Sequence, residues 1–286
     1  MIDVDIVCPI YKNPYEIKRF CDSLLNQENV HIVNLVFPHT LSNEEVDEEI
    51  RKLIRNYNGK SFEIKKDEFS HSLTREKAVR DYCTSNIVVF ASEDIVLYDN
   101  YSLYNLVSQI NEEVVYAYGK QICKNHSIER YTRKFNYGNK DIIVSKDDIE
   151  KLQLMAFFAS DAFSAINRDV FLKVNGYNNY NVMMNEDQLY AKIILDAGYK
   201  KMYVSNALCI HSHKYTLKRL YRRYYRTGKF YKDIKIFNEY KKTNAGKKMA
   251  LFVFKELLIH FNVLMLFRFP FDMMARYLGL RKGQKS

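Results

Sequence analysis

Short apolar segments alternate with helix-length amphipathic stretches over the first hundred residues, and this order constrains the fold more than any other feature of the chain. Residues 5–9 read as a strand, 13–25 as a helix with Pro14 in its first turn, and 30–37 as the next strand. Ser42-Asn43-Glu44-Glu45 resembles a capped helix start. Val46, Ile50, Leu53 and Ile54 then share one face of a helix expected over 45–57. A short strand at 62–64, a helix at 74–83 and a strand at 87–90 follow. Strands separated by helices need crossover connections, so an α/β fold is expected, with a mostly parallel central sheet and helices on both faces. Beyond residue 100 the pattern loosens: 114–118 and 162–167 read as strands, 125–151 as polar and loop-rich, and 186–197 as a helix stopped by Gly198.

The chain has 286 residues, 47% of them hydrophobic and 14% aromatic, enough to bury a full core and to exclude a disordered chain. Five cysteines (Cys8, Cys21, Cys83, Cys123 and Cys209) lack any Cys-x-x-Cys spacing, which indicates neither a disulfide framework nor a thiolate zinc site and suits a reducing cytosol. The N-terminus runs directly into a strand pattern without a basic region followed by an apolar one, so a secretory signal is not expected.

The net charge of +10 is concentrated at one end. Residues 1–213 hold 25 Lys and Arg against 30 Asp and Glu, net −5, whereas 214–286 hold 19 against 4, net +15. A basic block of this kind serves a nucleic acid or an anionic membrane surface. The apolar runs 249–254, 257–259 and 263–267 are broken by Lys255, Glu256, His260 and Asn262, and Arg268 follows, too interrupted for a spanning helix but suited to the headgroup zone of a bilayer. A helical pair packed on the main domain with a solvated basic face is the plainer alternative.

Three polar clusters stand at expected element ends. Ser92-Glu93-Asp94 follows the apolar run ending at Phe90, Asn185-Glu186-Asp187 opens a helix, and His211-Ser212-His213 closes the apolar segment 207–210. Open α/β sheets keep ligands at such ends. An acidic group beside phosphates holds Mg²⁺ or Mn²⁺ through oxygen, which marks Asp94; as a polar turn it would only cap the next element. In Glu186-Asp187 one carboxylate could deprotonate a hydroxyl, or the pair could complement the helix dipole. His211 and His213 would face the same side of an extended strand. Arg75, in a helix opened by Phe69-Ser70-His71-Ser72, could meet a diphosphate in a bidentate way.

Taken in order, Val7-Cys8-Pro9-Ile10-Tyr11-Lys12, the segment Phe69 to Arg75, Phe90 to Asp94, Asn185-Glu186-Asp187 and Ile210 to Thr216 resemble the nucleotide-diphosphosugar glycosyltransferases of family 2, with the GT-A fold. Among them the pattern is most similar to bacterial rhamnosyltransferases, through His71-x-x-Thr74-Arg75, His211-Ser212-His213-x-Tyr215, and Arg222-Arg223-Tyr224 followed by Gly228. The resemblance covers roughly residues 4–230. It implies a GT-A, Rossmann-like catalytic domain at 1–213, with a nucleotide-sugar half (1–100) and an acceptor half (101–213), and a basic, amphipathic helical segment at 214–286 lying at a membrane interface.

The same resemblance assigns roles. Pro9 and Tyr11 match the turn against which base and ribose rest; His71, Arg75, Glu93 and Asp94 match donor-binding positions. Asp94 stands at the last Asp of an Asp-x-Asp-like motif for Mn²⁺ or Mg²⁺, with His211 as a further ligand and His213 as the second choice. Asp187 matches the catalytic base, with Glu186 beside it. The implied activity is inverting transfer of a sugar, L-rhamnose from dTDP-rhamnose, to a lipid-linked or growing cell-surface polysaccharide, by an enzyme held peripherally at the cytoplasmic face of the plasma membrane. The chain departs from the family pattern at 36–40, where an acidic Asp-x-Gly-Ser turn is usual, and at Ser72, Leu73 and Glu76, which leaves a UDP-hexose donor open. Arg222-Arg223-Tyr224-Tyr225-Arg226 also interleaves cations and rings as single-stranded nucleic-acid binders do. A basic nucleic-acid- or glycan-binding protein without catalysis is therefore the alternative from another class. Linkage, acceptor hydroxyl and oligomeric state are not legible in these residues.

Overall fold

A computed structural model describes residues 1–237, 239–240 and 245–286; positions 238 and 241–244 of the expected basic segment lie outside the described residues. From the N-terminus the elements are β1 (Ile2–Val7), α1 (Pro14–Leu24), β2 (Val30–Thr40), α2 (Glu44–Asn56), β3 (Lys60–Ile64), α3 (His71–Tyr82), β4 (Ile87–Ala91), β5 (Ile95–Leu97), α4 (Ser102–Val107), β6 (Val114–Ile122), α5 (Ile128–Asn136), β7 (Ile142–Val144), α6 (Ile149–Leu152), β8 (Phe163–Asn167), α7 (Arg168–Lys173), α8 (Glu186–Asp196), β9 (Lys200–His211), α9 (Leu217–Asp233), α10 (Ala245–Ile259) and α11 (Val263–Lys285). Two compact units result. The first comprises Met1–Gln121, Asn139–Asp147 and Phe158–His211; the second comprises Ile122–Gly138, Asp148–Phe157 and Ser212–Ser286.

The first unit is a mixed sheet with flanking helices, its strands ordered β3-β2-β1-β4-β8-β6-β9-β5, with β7 on β9. Side-chain caps set the helices before the site. Asn13 accepts from the Glu16 amide at 3.4 Å and Pro14 takes the first helical position, so α1 buries Ile17, Phe20, Cys21 and Leu24 on one face. Asn43 and Ser70 start α2 and α3 in the same way, accepting from Val46 at 3.1 Å and Leu73 at 3.4 Å. Strands β1 and β4 are covered on both faces, which is why Val4, Ile6, Val7, Val88, Val89 and Phe90 are all buried. Asp5, buried within β1, accepts from Asn34 Nδ2 at 2.7 Å and from the Ser85 amide at 2.7 Å, tying β1 to β2 and to the turn before β4.

The expected mostly parallel sheet is corrected by this topology. The pairs β3-β2, β2-β1 and β1-β4 are parallel, whereas β4-β8, β8-β6, β9-β5 and β9-β7 are antiparallel. Strand–helix alternation implies parallel pairing only while each strand is followed by a crossover helix, and after Ala91 the chain returns along its neighbours instead. The stretch 125–151, expected as loop, carries α5, β7 and α6, and the three-residue strand β5 was too short to show a period.

The second unit is helical. Gly228 on α9 and Gly279 and Gly283 on α11 let two backbones touch. A Cβ at these positions would collide with the carbonyl oxygens of Leu280, Tyr221 and Tyr225 respectively. Ile128 and Tyr131 of α5 pack with Val253 and Leu257 of α10, and Lys134 Nζ lies 2.7 Å from Glu256 Oε2. Among the described residues no helix is long and apolar enough to cross a membrane.

Candidate active site

Asp94 and His211 are brought together by strand pairing. Ile95 opposes His211 in the β5-β9 ladder, which sets Asp94, one residue earlier, beside the imidazole: Asp94 Oδ1 lies 3.3 Å from His211 Nε2. The other ring nitrogen, Nδ1, lies 2.8 Å from Gln121 Oε1 at the end of β6. Gln121 spends its Nε2 on Ser160 Oγ at 2.6 Å, so its oxygen faces the ring and accepts. Nδ1 therefore donates to Gln121, which turns Nε2 toward Asp94. A carboxylate oxygen and an imidazole nitrogen at this spacing fit a divalent cation. His213 falls in the second unit, its ring 5.2 Å from that of Tyr215.

Glu93 points the other way, toward the turn after β1. Its Oε2 accepts from the Tyr11 amide at 2.7 Å. Burial raises its pKa to about 8; the Tyr11 bond lowers it, and neighbouring Asp94 and Glu16 raise it. This bond fixes the Pro9-Ile10-Tyr11-Lys12 turn, in which Pro9 and Tyr11 are partly exposed and Lys12 takes a left-handed φ of 63°. The Cys8 thiol is raised by burial, by Glu93 and Asp94, and is lowered by Arg75, so charged groups from α3 and from the β4-β5 turn surround the end of β1.

Arg75 and Glu186 form a buried ion pair. They are 3% and 7% exposed, with Arg75 Nη1 donating to Glu186 Oε1 at 2.8 Å. The same nitrogen donates to His71 Nδ1 at 3.1 Å, and Nη2 donates to the Asp161 carbonyl at 3.4 Å. The guanidinium carbon lies 5.7 Å from the Phe90 ring centroid. Behind the pair, the Asp161 carboxylate accepts from Tyr116 and Ser164 at 2.7 Å each and from Tyr177 at 3.3 Å. Asp187 follows Glu186 in the first turn of α8, which the left-handed Asn185 (φ 62°) aims into the cluster. Burial raises the Asp187 carboxyl well above the usual range; Glu186 and Asp161 raise it further, while the Gln188 amide and Arg75 oppose this. Lys201, buried on β9 and donating to the Phe158 carbonyl at 2.6 Å, is lowered by burial to about 7, with Asp187 acting against the shift.

Thus the structure places His71, Arg75, Glu186 and Asp187 in one cluster, Asp94 with His211, and Glu93 with Tyr11. Sequence reasoning missed Gln121, Asp161 and Lys201. Asp161 sits in Ser160-Asp161-Ala162, directly before a strand, and only that placement could have marked it. Gln121 and Lys201 carry no motif at all.

No family model matches the chain. It is 34% identical over 173 residues to the O-antigen chain rhamnosyltransferase RfbN of Salmonella typhimurium, covering 59% of this chain and 55% of that protein. It is 32% identical over 187 residues to the O-antigen chain rhamnosyltransferase WbaN of Salmonella anatum, covering 64% and 59%. The chain thus spans just over half the length of the curated relatives it matches. Among solved structures, the mannosyltransferase PcManGT of Pyrobaculum calidifontis, in complex with GDP-Man and Mn²⁺, superposes with a TM-score of 0.58 at 14% identity, over 99% of this chain and 75% of that one. TarS of S. aureus (residues 1–349), in complex with UDP-GlcNAc, superposes with a TM-score of 0.57 at 12% identity, over 90% and 73%. The fold is that of a GT-A glycosyltransferase. The motif resemblance to family 2 rhamnosyltransferases is borne out in sequence and in fold.

Proposed function

We infer that the chain is an inverting glycosyltransferase, moving a sugar from a nucleotide diphosphate donor, L-rhamnose from dTDP-rhamnose, to a hydroxyl of a lipid-linked or growing cell-surface polysaccharide. The observation that carries this is the pairing of Asp94 with His211 in the same unit as the raised carboxyl of Asp187. Residues 1–100 form the nucleotide-sugar half, with Pro9 and Tyr11 against the nucleoside and Glu93 holding their turn. Residues 101–213 form the acceptor half.

Asp94 and His211 would hold the divalent cation, which supplies charge neutralisation to the departing diphosphate. Asp187 accepts the proton of the acceptor hydroxyl. The freed oxygen forms its bond to the anomeric carbon as the bond to the diphosphate breaks, its electron pair leaving with the phosphate oxygen and the configuration inverting. A raised pKa makes Asp187 a stronger base once ionised, as a hydroxyl proton requires. Glu186 and His71 are held by Arg75, whose guanidinium fixes the first turn of α8 and adds positive charge on the donor side.

The second unit would rest on the anionic cytoplasmic leaflet. Leu258, Ile259, Phe261, Val263, Leu264 and Phe267 are exposed around the α10-α11 turn, and Lys247, Lys248 and Lys255 stand on α10.

The test is a thermal-shift titration with Mn²⁺ or Mg²⁺ and dTDP, UDP, GDP and their sugars, together with product analysis. Metal-dependent stabilisation by a dTDP-sugar, lost in Asp94→Ala, is expected. Equal stabilisation of Asp94→Ala, or RNA binding that survives both Asp94→Ala and Asp187→Ala without sugar turnover, would sink the reading.

A further inference from the structure

The second unit contains a cavity of about 440 Å³ that no role above uses, within the size range of small-molecule sites. Its lining includes the basic residues Lys214, Arg268 and His126 and the apolar residues Ile128, Leu264 and Met265. The two carboxylates that also line it are already matched. Asp272 Oδ1 accepts from Arg276 Nε at 2.9 Å, and Glu129 lies 3.3 Å from both Arg276 and Arg133. Lys214 and Arg268 therefore dominate the charge that a ligand would meet. Arg268 is held in place through Nη2, which donates to the Tyr215 carbonyl, and through Nε, 3.8 Å from Asp272 Oδ2, which leaves Nη1 for an anion.

A further polar group waits in the wall. Ser127 stands at the cap position of α5 but makes no side-chain cap bond, and its Oγ is buried without a hydrogen-bond partner. Such a hydroxyl is costly unless something else bonds to it. Within the apolar lining Leu264 is 84% exposed, and Phe261, three residues before it in the chain, is 88% exposed. A free anion would leave that wall in water, and a purely apolar ligand would bury the cations unpaired.

We propose that this cavity binds the phosphate headgroup of a membrane lipid, with Lys214, Arg268 and Ser127 on the phosphate and Ile128, Leu264 and Met265 against the first carbons of the chain. The site deepens the membrane reading of the second unit and rests on it. Bound there, the lipid phosphate ties α5, α11 and the segment before α9 to the bilayer surface.

The full chain is titrated calorimetrically, in EDTA so that no metal site contributes, with dihexanoyl phosphatidic acid, dihexanoyl phosphatidylcholine and inorganic phosphate. The phosphatidic acid is expected to bind most tightly. Lys214→Ala/Arg268→Ala should weaken it by at least about tenfold, the loss of charge-assisted hydrogen bonds. Leu264→Ser, at an exposed position, should weaken the lipid and leave inorganic phosphate unchanged. Inorganic phosphate binding as tightly as the lipid would overturn the proposal in favour of a free-anion site, and unchanged binding by the double variant would overturn it outright. Sugar turnover on a water-soluble acceptor is followed in parallel. Turnover without lipid binding removes the pocket alone, and lipid binding without turnover removes the transferase reading alone.

Discussion

Replacing Arg75 with methionine tests the charge arrangement at the centre of the site. The guanidinium is almost wholly buried, donates to Glu186 at 2.8 Å, and lies near Asp161 and Asp187. At an effective dielectric of about 20, unit charges about 4 Å apart attract by about 4 kcal/mol. Removing one partner of a buried pair costs about 3–5 kcal/mol because the other is left uncompensated. Arg75→Met should lose about this much stability, and adding Glu186→Gln should restore most of it. The loss also has a pH sign. Burial raises Asp161 and Asp187 above the ordinary carboxylate range, and Arg75 opposes that rise in both. Without it they rise further, so the folded variant holds protons that the unfolded chain releases above about pH 4. Stability then falls as pH climbs from that value through the folded pKa values. Urea denaturation followed by circular dichroism at pH 5 and pH 8 should give the larger penalty at pH 8. A loss below about 1 kcal/mol, or one equal at both pH values, would refute a charged, buried Arg75-Glu186 pair.

Three further outcomes are expected from the same geometry. Asp161→Asn removes a negative neighbour that raises Asp187, so the ascending limb of the pH–rate profile for sugar transfer should move to lower pH; an unmoved limb would separate Asp187 from that limb. Gln121→Leu removes the group that holds His211 Nδ1, and Mn²⁺ affinity by titration should fall by about 10–100-fold while the far-ultraviolet spectrum stays the same. Gly283→Ala forces a Cβ onto the Tyr225 carbonyl, and thermal or urea unfolding should show a loss of about 1–3 kcal/mol, with activity in the first unit preserved.

The first four strands were legible because β1, β2 and β4 carry buried apolar runs and each strand is separated from the next by a helix with a capping side chain. Asn13, Asn43 and Ser70 all perform the capping expected of their type. The same reasoning failed past Ala91, where pairing direction depends on how far the chain travels before returning. Helix α5 was hidden by its polarity: its buried residues are Ile128, Tyr131, Thr132 and Arg133, and the packing partners of the two apolar ones, Val253 and Leu257, lie more than a hundred residues away.

At the candidate site, Asp94, Glu186, Asp187 and His211 were singled out because carboxylates and imidazoles recur at the expected element ends; in the fold Glu186 and His211 are buried, each with a polar partner. Their surroundings could not be found in this way. Asp161 and Lys201 carry no motif in sequence, and only the closing of the sheet reveals that Tyr116, Ser164 and Tyr177 satisfy the first while the Phe158 carbonyl receives the second. Arg75 shows the difference most clearly. Its place in the helix opened by Phe69-Ser70-His71-Ser72 suggested a cation turned toward phosphate, yet its main hydrogen bond goes to Glu186, on a helix 111 residues away. A cation so placed acts on a ligand through its field and through the carboxylate it orients. Lysine would keep the charge but lose the fork that serves Glu186, His71 and the Asp161 carbonyl together.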